Sequence, residues 1–314
     1  MSFEYQFRRL DDTLLGKLIP LYKAAFDLEL TRTQIFNKFN TSDYAHRKYI
    51  AYIALDTEGN AIAQYAIFPA LLTYQGKEIL AGQVGDLMTH PDHQRKGLFV
   101  KLATLTHDLA KQEGMKLIYT FPFGQNSSYQ GFEKHLGFTS QKMNSYIIRV
   151  DTLPLCRFAH KTSVTLGIYN VYLKNILGNF YPQKSEFASK CAAKENAIVK
   201  NSAFFTYKMA YTSGRVFALN NAAVYQKLTK FGSVSVGDFE HYNKMGDTIL
   251  QLKSYCFWAG IRSIRIEVVG ENEMNTFLKA NYSFENEYYA SVLKLDDTID
   301  TSNLNFVFGD FDNF

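Results

Sequence analysis

A hydrophobic strand and an amphipathic helix are joined by a short basic turn in the N-terminal half of the chain. The strand is residues 84–88, Val-Gly-Asp-Leu-Met, and the turn is residues 90–99, His-Pro-Asp-His-Gln-Arg-Lys-Gly-Leu-Phe. Leucines then recur at spacings of four, three and four, at positions 98, 102, 105 and 109. This spacing predicts a helix that begins near Leu98.

The composition of this turn favours an anion as its ligand. The first turn of a helix has backbone N–H groups without intrahelical partners, and the helix dipole adds partial positive charge. Arg95 and Lys96 add full charges. Gly97 lets the backbone approach a ligand closely, because it has no Cβ. The turn is therefore predicted to hold phosphate.

The residues after the turn continue the alternation of helix and strand. Gly114 is placed to end the first helix, residues 117–121 read as a strand, and Asn126 opens a second helix that ends at residues 136–138, Leu-Gly-Phe. This order, together with Gln94 and Gly97, resembles the acyl-CoA loop of the GNAT N-acetyltransferases, whose usual pattern is Gln/Arg-x-x-Gly-x-Gly/Ala. Phe99 stands where that family normally has a small residue. The alternative is an ordinary strand-to-helix connection with solvated charges.

The resemblance implies that acetyl-CoA is a co-substrate and that no metal is needed. Backbone groups of Leu87, Met88 and Thr89 would pair with the pantetheine arm, and Asn126 looks like the asparagine that contacts this arm in the family. The pyrophosphate would lie on the turn residues Gln94, Arg95, Lys96, Gly97, Leu98 and Phe99.

Two residues are candidates for the proton transfers that acetyl transfer requires. Many GNAT proteins carry a tyrosine acid where this chain has Phe132, so Tyr129, about one turn earlier, is the expected replacement; alternatively it only packs or stacks on substrate. Asp86 is placed to accept the amine proton, directly or through water. Its counterpart Asp238 in the repeat described next favours a structural role for it instead.

An internal repeat indicates two similar halves. Residues 236–239, Val-Gly-Asp-Phe, echo the Val-Gly-Asp-Leu of residues 84–87, and the second copy is shorter mainly around the turn, where it lacks Gln-x-x-Gly. We therefore predict α/β architecture with tandem GNAT-like folds, each a mixed central sheet flanked by helices, and CoA binding by the first half alone. The alternative is that two α/β halves resemble each other through shared physics.

The repeat sets the expected domain boundaries. A catalytic domain is predicted over residues 1–151, a helical connection over 152–193, with a helix at 166–180, and a degenerate second domain over 194–314. A chain of 314 residues that is 46% hydrophobic is long enough for two such cores.

Composition excludes several other classes of protein. The net charge is only +4 and basic residues are interleaved with acidic ones, which argues against a nucleic-acid binder. Three widely spaced cysteines favour a reducing cytoplasm, and no apolar run is long enough to insert into a membrane. The histidines lack the spacing of a metal set and are expected at the surface.

The resemblance implies an acetyl-CoA-dependent N-acetyltransferase that acts on the primary amine of a small molecule. Residues 126–129, Asn-Ser-Ser-Tyr, and the tail at 305–312 resemble two-domain GNAT proteins encoded with bacterial surface-polysaccharide enzymes, so an amino sugar or its nucleotide-linked form is the leading substrate. Two alternatives are a non-catalytic acyl-CoA-binding protein and an aminoacyltransferase of the tandem GNAT-fold peptidoglycan type. The sequence does not indicate an oligomeric state.

Overall fold

The structure, a computed structural model, divides into two compact units. It describes residues 4–123, 127–153, 158–159, 161–184, 187, 196–219, 222–229 and 232–312. Unit one comprises Met1–Gln141 with Tyr289–Ser302, and unit two comprises Lys142–Tyr288 with Asn303–Phe314.

Both units are built from β-strands and α-helices. The strands are β1 (Gln6–Arg9), β2 (Ile50–Leu55), β3 (Ala61–Tyr74), β4 (Lys77–Thr89), β5 (Leu117–Thr120), β6 (Thr139–Lys142), β7 (Asn144–Arg149), β8 (Gln183–Lys184), β9 (Ala197–Ile198), β10 (Arg215–Leu219), β11 (Ala222–Leu228), β12 (Ser233–Phe239), β13 (Ser263–Val269), β14 (Phe284–Glu285), β15 (Tyr289–Lys294) and β16 (Phe306–Val307). The helices are α1 (Leu18–Phe26), α2 (Arg32–Phe39), α3 (Ser42–Ala45), α4 (Leu98–Gln112), α5 (Ser127–Leu136), α6 (Ser163–Tyr172), α7 (Gly178–Phe180), α8 (Ser202–Tyr211), α9 (Met245–Ala259) and α10 (Glu273–Asn281).

Unit one is a mixed sheet with helices on both faces. Its strand order is β1-β2-β3-β4-β5-β15-β6, and β4 and β5 are the parallel neighbours. Leu18 and Ile35 bring α1 and α2 into one buried cluster, while Leu102 and Phe132 bring α4 and α5 into another. Alternate residues of a strand point to opposite faces, so the nearly continuous burial of β3 matches a sheet that is covered on both sides.

Strands β4 and β5 separate at the edge where the predicted turn begins. Their parallel pairing runs only from Ala81 opposite Leu117 to Gln83 opposite Tyr119, whereas β4 continues to Thr89. In the part of β4 that β5 does not pair with, two residues of β4 lie opposite one residue of β3. Asp86 there adopts a left-handed backbone conformation with φ of 50°. Such a bulge re-aims the strand at the point where a ligand can enter the gap.

Unit two repeats this plan with its own strands. The order is β14-β7-β13-β12-β11-β10-β8, and β12 pairs in parallel with β13 only from Ser233 to Val236. Beyond that point the C-terminal segment enters the gap. Strand β16 pairs antiparallel with Val268 and Val269 of β13. A Cβ added to Gly309 would lie 2.9 Å from the carbonyl oxygen of Gly237 on β12, so only glycine fits this approach.

The two compact units differ from the predicted domain boundaries. The domain predicted over 1–151 ends ten residues earlier, because β7 lies antiparallel to β13 in unit two. Its repeat counterpart β15 lies antiparallel to β5 in unit one, so the range 194–314 is not one continuous domain. The two strands end in similar residues, Ile-Ile-Arg-Val-Asp at 147–151 and Val-Leu-Lys-Leu-Asp at 292–296, and such a pattern does not identify the sheet that a strand joins.

The described part of the predicted connection, 152–193, also belongs to unit two rather than standing apart. Strand β8 pairs with β10 there, and the predicted helix at 166–180 is α6, a π-helical turn at Leu173–Leu177, and α7. In unit one, α1 starts at Leu18, directly after a 3₁₀ turn at Leu15–Lys17.

Candidate active site

The basic turn has the backbone geometry of an anion-binding loop. After a 3₁₀ turn at Pro91–His93, Arg95 and Gly97 take left-handed φ values of 59° and 74°. Gly97 is the N-cap of the 15-residue helix α4 and has no side chain to cap it. The N–H groups of the first helical turn therefore remain available to a ligand, as expected for a phosphate site. Lys96 donates from Nζ to the carbonyl of Asp92 at 2.8 Å, which anchors the turn.

One cleft collects most of the residues that the sequence assigned to the cofactor. Its volume is about 480 Å³, and it lies between α1, the end of β4, the turn, α4 and α5. Eight of the predicted residues line it: Leu87, Met88, Thr89, Gln94, Arg95, Gly97, Leu98 and Phe99. Lys96 is not among its lining residues, and Asn126 lies outside the described residues.

The bulk of Phe99 is accommodated by a small residue on the neighbouring helix. A Cβ added to Gly131 of α5 would lie 3.0 Å from Cε1 of Phe99, and the Phe99 ring meets the Phe132 ring edge-on at 5.6 Å. Both Phe99 and Gly131 line the cleft. The missing small residue of the turn is thus compensated on α5, which keeps the cleft open beside the helix start.

Asp86 lies in the bulge with two partners from α1 and α2. Its Oδ1 is 2.6 Å from Nζ of Lys38, and its Oδ2 accepts a hydrogen bond from the hydroxyl of Tyr22. The side chains of Asp86 and Lys38 are only 7% and 13% exposed. A carboxylate with both oxygens engaged in this way is well suited to hold α1 and α2 against the bulge.

The counterpart in unit two has the same kinds of partner. Asp238 accepts from the Tyr242 hydroxyl at 3.0 Å and lies 3.1 Å from Nζ of Lys200. Lys200 is also 3.0 Å from Asp310 of the C-terminal segment, and all three side chains are buried. Burial raises the pKa of Asp310. The aspartate of the repeat therefore anchors the bulged strand to neighbouring elements in both units.

Tyr129 lies on α5, with its hydroxyl donated to Oε1 of Glu133 at 3.0 Å. Its ring stacks on Tyr289 of β15 with 4.2 Å between centroids. Burial raises the pKa of Tyr129 to about 12, and the hydrogen bond to Glu133 adds to this effect. The phenol therefore keeps its proton at neutral pH. Phe132, at the position usual for the acid, is buried in the core beside Phe138.

One histidine differs from the surface position expected for it, and another lines the cleft. His107 is buried and its Nε2 lies 2.9 Å from the Tyr65 hydroxyl, and burial lowers the pKa of His107 to about 4. His93 lines the cleft, with Nδ1 at 3.1 Å from the Tyr5 hydroxyl. Burial lowers the pKa of His93, and the charge of Lys96 lowers it further.

Sequence reasoning missed Tyr22, Lys38, His93 and Gly131 at this site. Tyr22 and Lys38 come from helices that precede the turn by more than fifty residues, and their patterns are those of ordinary amphipathic helices. His93 was overlooked inside the motif itself. Gly131 could have been recognised from the sequence, because a glycine inside a helix lowers its stability and is usually kept only where another group packs against it.

The comparisons with known proteins identify the first unit. The sequence model of the acetyltransferase (GNAT) domain family matches residues 6–137. Unit one is a GNAT acetyltransferase domain. The chain therefore contains a GNAT-type acyltransferase domain, and the cleft beside its basic turn lies within the matched residues. A search of curated proteins gives no significant match.

Solved structures extend the similarity to both units. A probable N-acyltransferase from Enterococcus faecalis V583 superposes with a TM-score of 0.59 at 13% identity, covering 94% of this chain and 73% of its own. A tandem GNAT protein from the clavulanic acid biosynthesis pathway gives 0.52 at 10%, covering 94% and 100%. A fungal multi-domain β-N-acetylglucosaminidase with a glucosamine N-acetyltransferase region gives 0.51 at 13%, covering 93% and 38%. These likenesses show a tandem GNAT fold.

Neither a metal centre nor a membrane span is seen among the described residues. They contain no group of three or more His, Cys, Asp or Glu side chains placed to hold a metal ion. In the same part of the chain, no helix has the length and apolarity needed to cross a membrane.

Proposed function

We propose that unit one binds acetyl-CoA in the cleft beside the basic turn and transfers the acetyl group to the primary amine of a small molecule. The observation that carries this proposal is the convergence of the separated strands β4 and β5, the left-handed turn at Arg95–Gly97 and the uncapped start of α4 on one cleft. An extended thiol arm needs backbone partners along its length, and a pyrophosphate needs N–H groups and positive charge.

The residues present fit this cofactor. Arg95 and the N–H groups of Gly97, Leu98 and Phe99 would hold the pyrophosphate. Leu87, Met88 and Thr89 line the cleft beyond the end of the β4–β5 pairing, and their backbone groups would pair with the pantetheine arm. An N–H group from this stretch would also stabilise the oxyanion that forms when the amine attacks the thioester carbonyl. The bound cofactor supplies the activated acetyl group.

For the proton transfers we propose different roles for the two predicted residues. Tyr129 would protonate the leaving thiolate, since its phenol keeps its proton at neutral pH and only one turn of α5 separates it from the position usual for the acid. Asp86 would position the bulge rather than act as base, because Lys38 and Tyr22 engage both of its oxygens. The amine would then lose its proton to water in the cleft.

The proposed acceptor is an amino sugar or its nucleotide-linked form. Support comes from the resemblance to GNAT proteins encoded with bacterial surface-polysaccharide enzymes and from the glucosamine N-acetyltransferase named above. The decisive experiment measures thiol release from acetyl-CoA with amino sugars, nucleotide-linked amino sugars, polyamines and amino acids. We expect at least one amino sugar to be turned over well above the hydrolytic background.

Other outcomes of this panel, together with acetyl-CoA binding and an assay with aminoacyl-tRNA, would redirect the proposal. Turnover of polyamines or amino acids alone would exclude the sugar class while keeping the reaction. Tight acetyl-CoA binding without turnover of any amine would favour the non-catalytic acyl-CoA-binding alternative. Absence of acetyl-CoA binding, with activity on aminoacyl-tRNA, would favour the aminoacyltransferase alternative.

A further inference from the structure

Unit two contains a cavity of about 500 Å³, and none of its lining residues belongs to the basic turn. Its floor is the sheet face formed by β10 and β11, where Arg215 lies directly opposite Gln226 and Phe217 points to the same side. The π-helical turn at Leu173–Leu177 contributes Leu173 and Lys174 to the lining. Single π turns of this kind occur frequently at functional sites.

Gln226 brings an unused hydrogen-bond acceptor to this cavity. The residue is 3% exposed, and its Oε1 accepts no hydrogen bond from the residues that the structure describes. An unsatisfied buried acceptor costs about 1–3 kcal/mol. A sheet position that lines a cavity and retains such an atom favours a ligand that donates an N–H group to it.

The remaining walls select for a flat ligand with negative charge. Tyr181 and Phe217 each pack against Tyr255, with ring centroids 5.1 and 5.4 Å apart. Among the described lining residues the charged ones are Lys174 and Arg215, and none is acidic. The carbonyls of Thr212 and Gly214 hold Nη1 of Arg215 at 3.2 and 2.6 Å, which fixes the guanidinium in place.

We propose that this cavity binds a nucleotide. The base lies against the aromatic walls and donates an N–H to Oε1 of Gln226, and the phosphate lies near Lys174 and Arg215. A flat ring with an N–H donor joined to an anion is the ligand chemistry that answers all three features, and the volume is within the usual range for small-molecule sites. This proposal does not depend on the reaction proposed for unit one.

Calorimetry on the full chain tests the proposal with UMP, AMP and GMP, and with ribose 5-phosphate and inorganic phosphate as probes that lack a base. We expect at least one nucleotide to bind at one site per chain, at least tenfold more tightly than ribose 5-phosphate. Gln226→Leu should weaken that nucleotide about tenfold or more while leaving ribose 5-phosphate unchanged, since one buried hydrogen bond is lost.

Two further variants test whether the binding belongs to this cavity. Arg215→Ala should weaken nucleotide and phosphate probes alike, whereas Arg262→Ala, an exposed arginine of the same unit outside the cavity, should change neither. Binding must also survive Gly97→Glu, which blocks the cleft of unit one. The proposal is overturned if no nucleotide binds more tightly than ribose 5-phosphate, if Gln226→Leu has no effect, or if Gly97→Glu abolishes binding.

Discussion

The two units share a strand plan and differ in what fills the space where parallel neighbours separate. In unit one, β4 continues from Val84 to Thr89 after its pairing with β5 has ended, and this stretch borders an open cleft. In unit two, the corresponding space beside β12 and β13 holds β16 and the 3₁₀ turn at Phe308–Asp310. One unit keeps the gap for a ligand, and the other closes it with its own chain.

The closure in unit two is specific rather than a loose covering. Gly309 approaches the backbone of Gly237, Asp310 accepts from the N–H of Val307 at 2.7 Å, and Lys208 donates to the carbonyl of Phe311. Phe308 and Phe311 pack edge-on at 4.8 Å. The turn that would hold a phosphate is missing from this unit, and its gap is filled by buried aromatic and charged side chains of its own chain.

The recurrence of one aspartate in both units clarifies its role. Asp86 and Asp238 each take a lysine and a tyrosine hydroxyl as partners, although only one of the two units has an open cleft. A group that recurs where no cofactor gap remains is better explained by positioning than by proton transfer. What distinguishes Asp86 is its left-handed φ, which accompanies the wider opening of β4.

The largest expected effect comes from removing the buried lysine of unit two. Lys200→Met leaves Asp238 and Asp310 buried without their cation, which should lower the free energy of unfolding by about 3–5 kcal/mol. Trp258, the single tryptophan, lies on α9 and reports unit two in urea unfolding followed by fluorescence.

Lys38→Met is the matched change in unit one. Asp86 keeps its hydrogen bond from Tyr22 and some solvent access, so the expected loss is smaller, about 1–3 kcal/mol by far-ultraviolet circular dichroism. Equal losses in the two variants would contradict the view that the closed gap of unit two depends more strongly on its ion cluster.

The second prediction concerns the open gap. Gly97→Glu places a carboxylate and a Cβ where the pyrophosphate requires bare backbone in a left-handed conformation, so acetyl-CoA should bind at least about 100-fold more weakly. Gly246→Glu introduces the same side chain near the start of α9 in unit two and should leave the affinity unchanged. Calorimetry should give one site per chain. Two sites per chain would mean that unit two also binds acetyl-CoA. Loss of binding in Gly246→Glu alone would mean that unit two binds it instead of unit one.

Much of the difference between the two units could be predicted from local sequence. The spacing of Leu98, Leu102, Leu105 and Leu109 gives α4, and the missing Gln-x-x-Gly correctly marked the second copy as different. The capped start of α2 at Thr31 was also predictable, because threonine and Gln34 form a capping box there. These features depend on residues within one or two turns of each other.

Long-range pairing could not be predicted in the same way. Strands β7 and β15 carry interchangeable patterns, so their exchange between the sheets is invisible in the sequence. The partners of Asp86 are Tyr22 and Lys38, and the aromatic segment around Gly309 gave no sign of which gap it fills. Such contacts depend on the assembled fold rather than on spacing along the chain.

The third prediction tests Tyr129, the proposed acid of unit one. The matching helix of unit two, α10, contains no tyrosine. Tyr129→Phe should lower kcat about 10- to 1000-fold and leave acetyl-CoA affinity nearly unchanged, since the phenol would act on the leaving thiolate. Because the pKa of Tyr129 is raised to about 12, activity should not fall from loss of this proton below about pH 11.

Tyr289→Phe is the control, because it keeps the stacked ring and removes only the neighbouring hydroxyl. It should change kcat by no more than about twofold. A larger loss in this control than in Tyr129→Phe would make Tyr289 the proton donor. An unchanged kcat in both variants would leave neither phenol with a role in the chemistry.

The last prediction distinguishes the two sheets by the pH dependence of their stability. Strand β13 of unit two carries the buried Glu267, which accepts from the Ser145 hydroxyl, whereas β5 of unit one is Leu-Ile-Tyr-Thr. Burial raises the pKa of Glu267 from 4.5 to about 8. The folded state therefore holds a proton that the unfolded chain releases, so stability falls as pH rises from 4.5 to about 8 and then levels off. Glu267→Gln should remove this dependence, raise the free energy of unfolding by up to about 5 kcal/mol at about pH 9, since each pKa unit corresponds to about 1.4 kcal/mol, and change little below about pH 4. Exposed Glu285→Gln is the control, and Trp258 fluorescence in urea at each pH gives the comparison. A pH profile that Glu267→Gln leaves unaltered would show that this carboxyl is already ionised in the folded sheet.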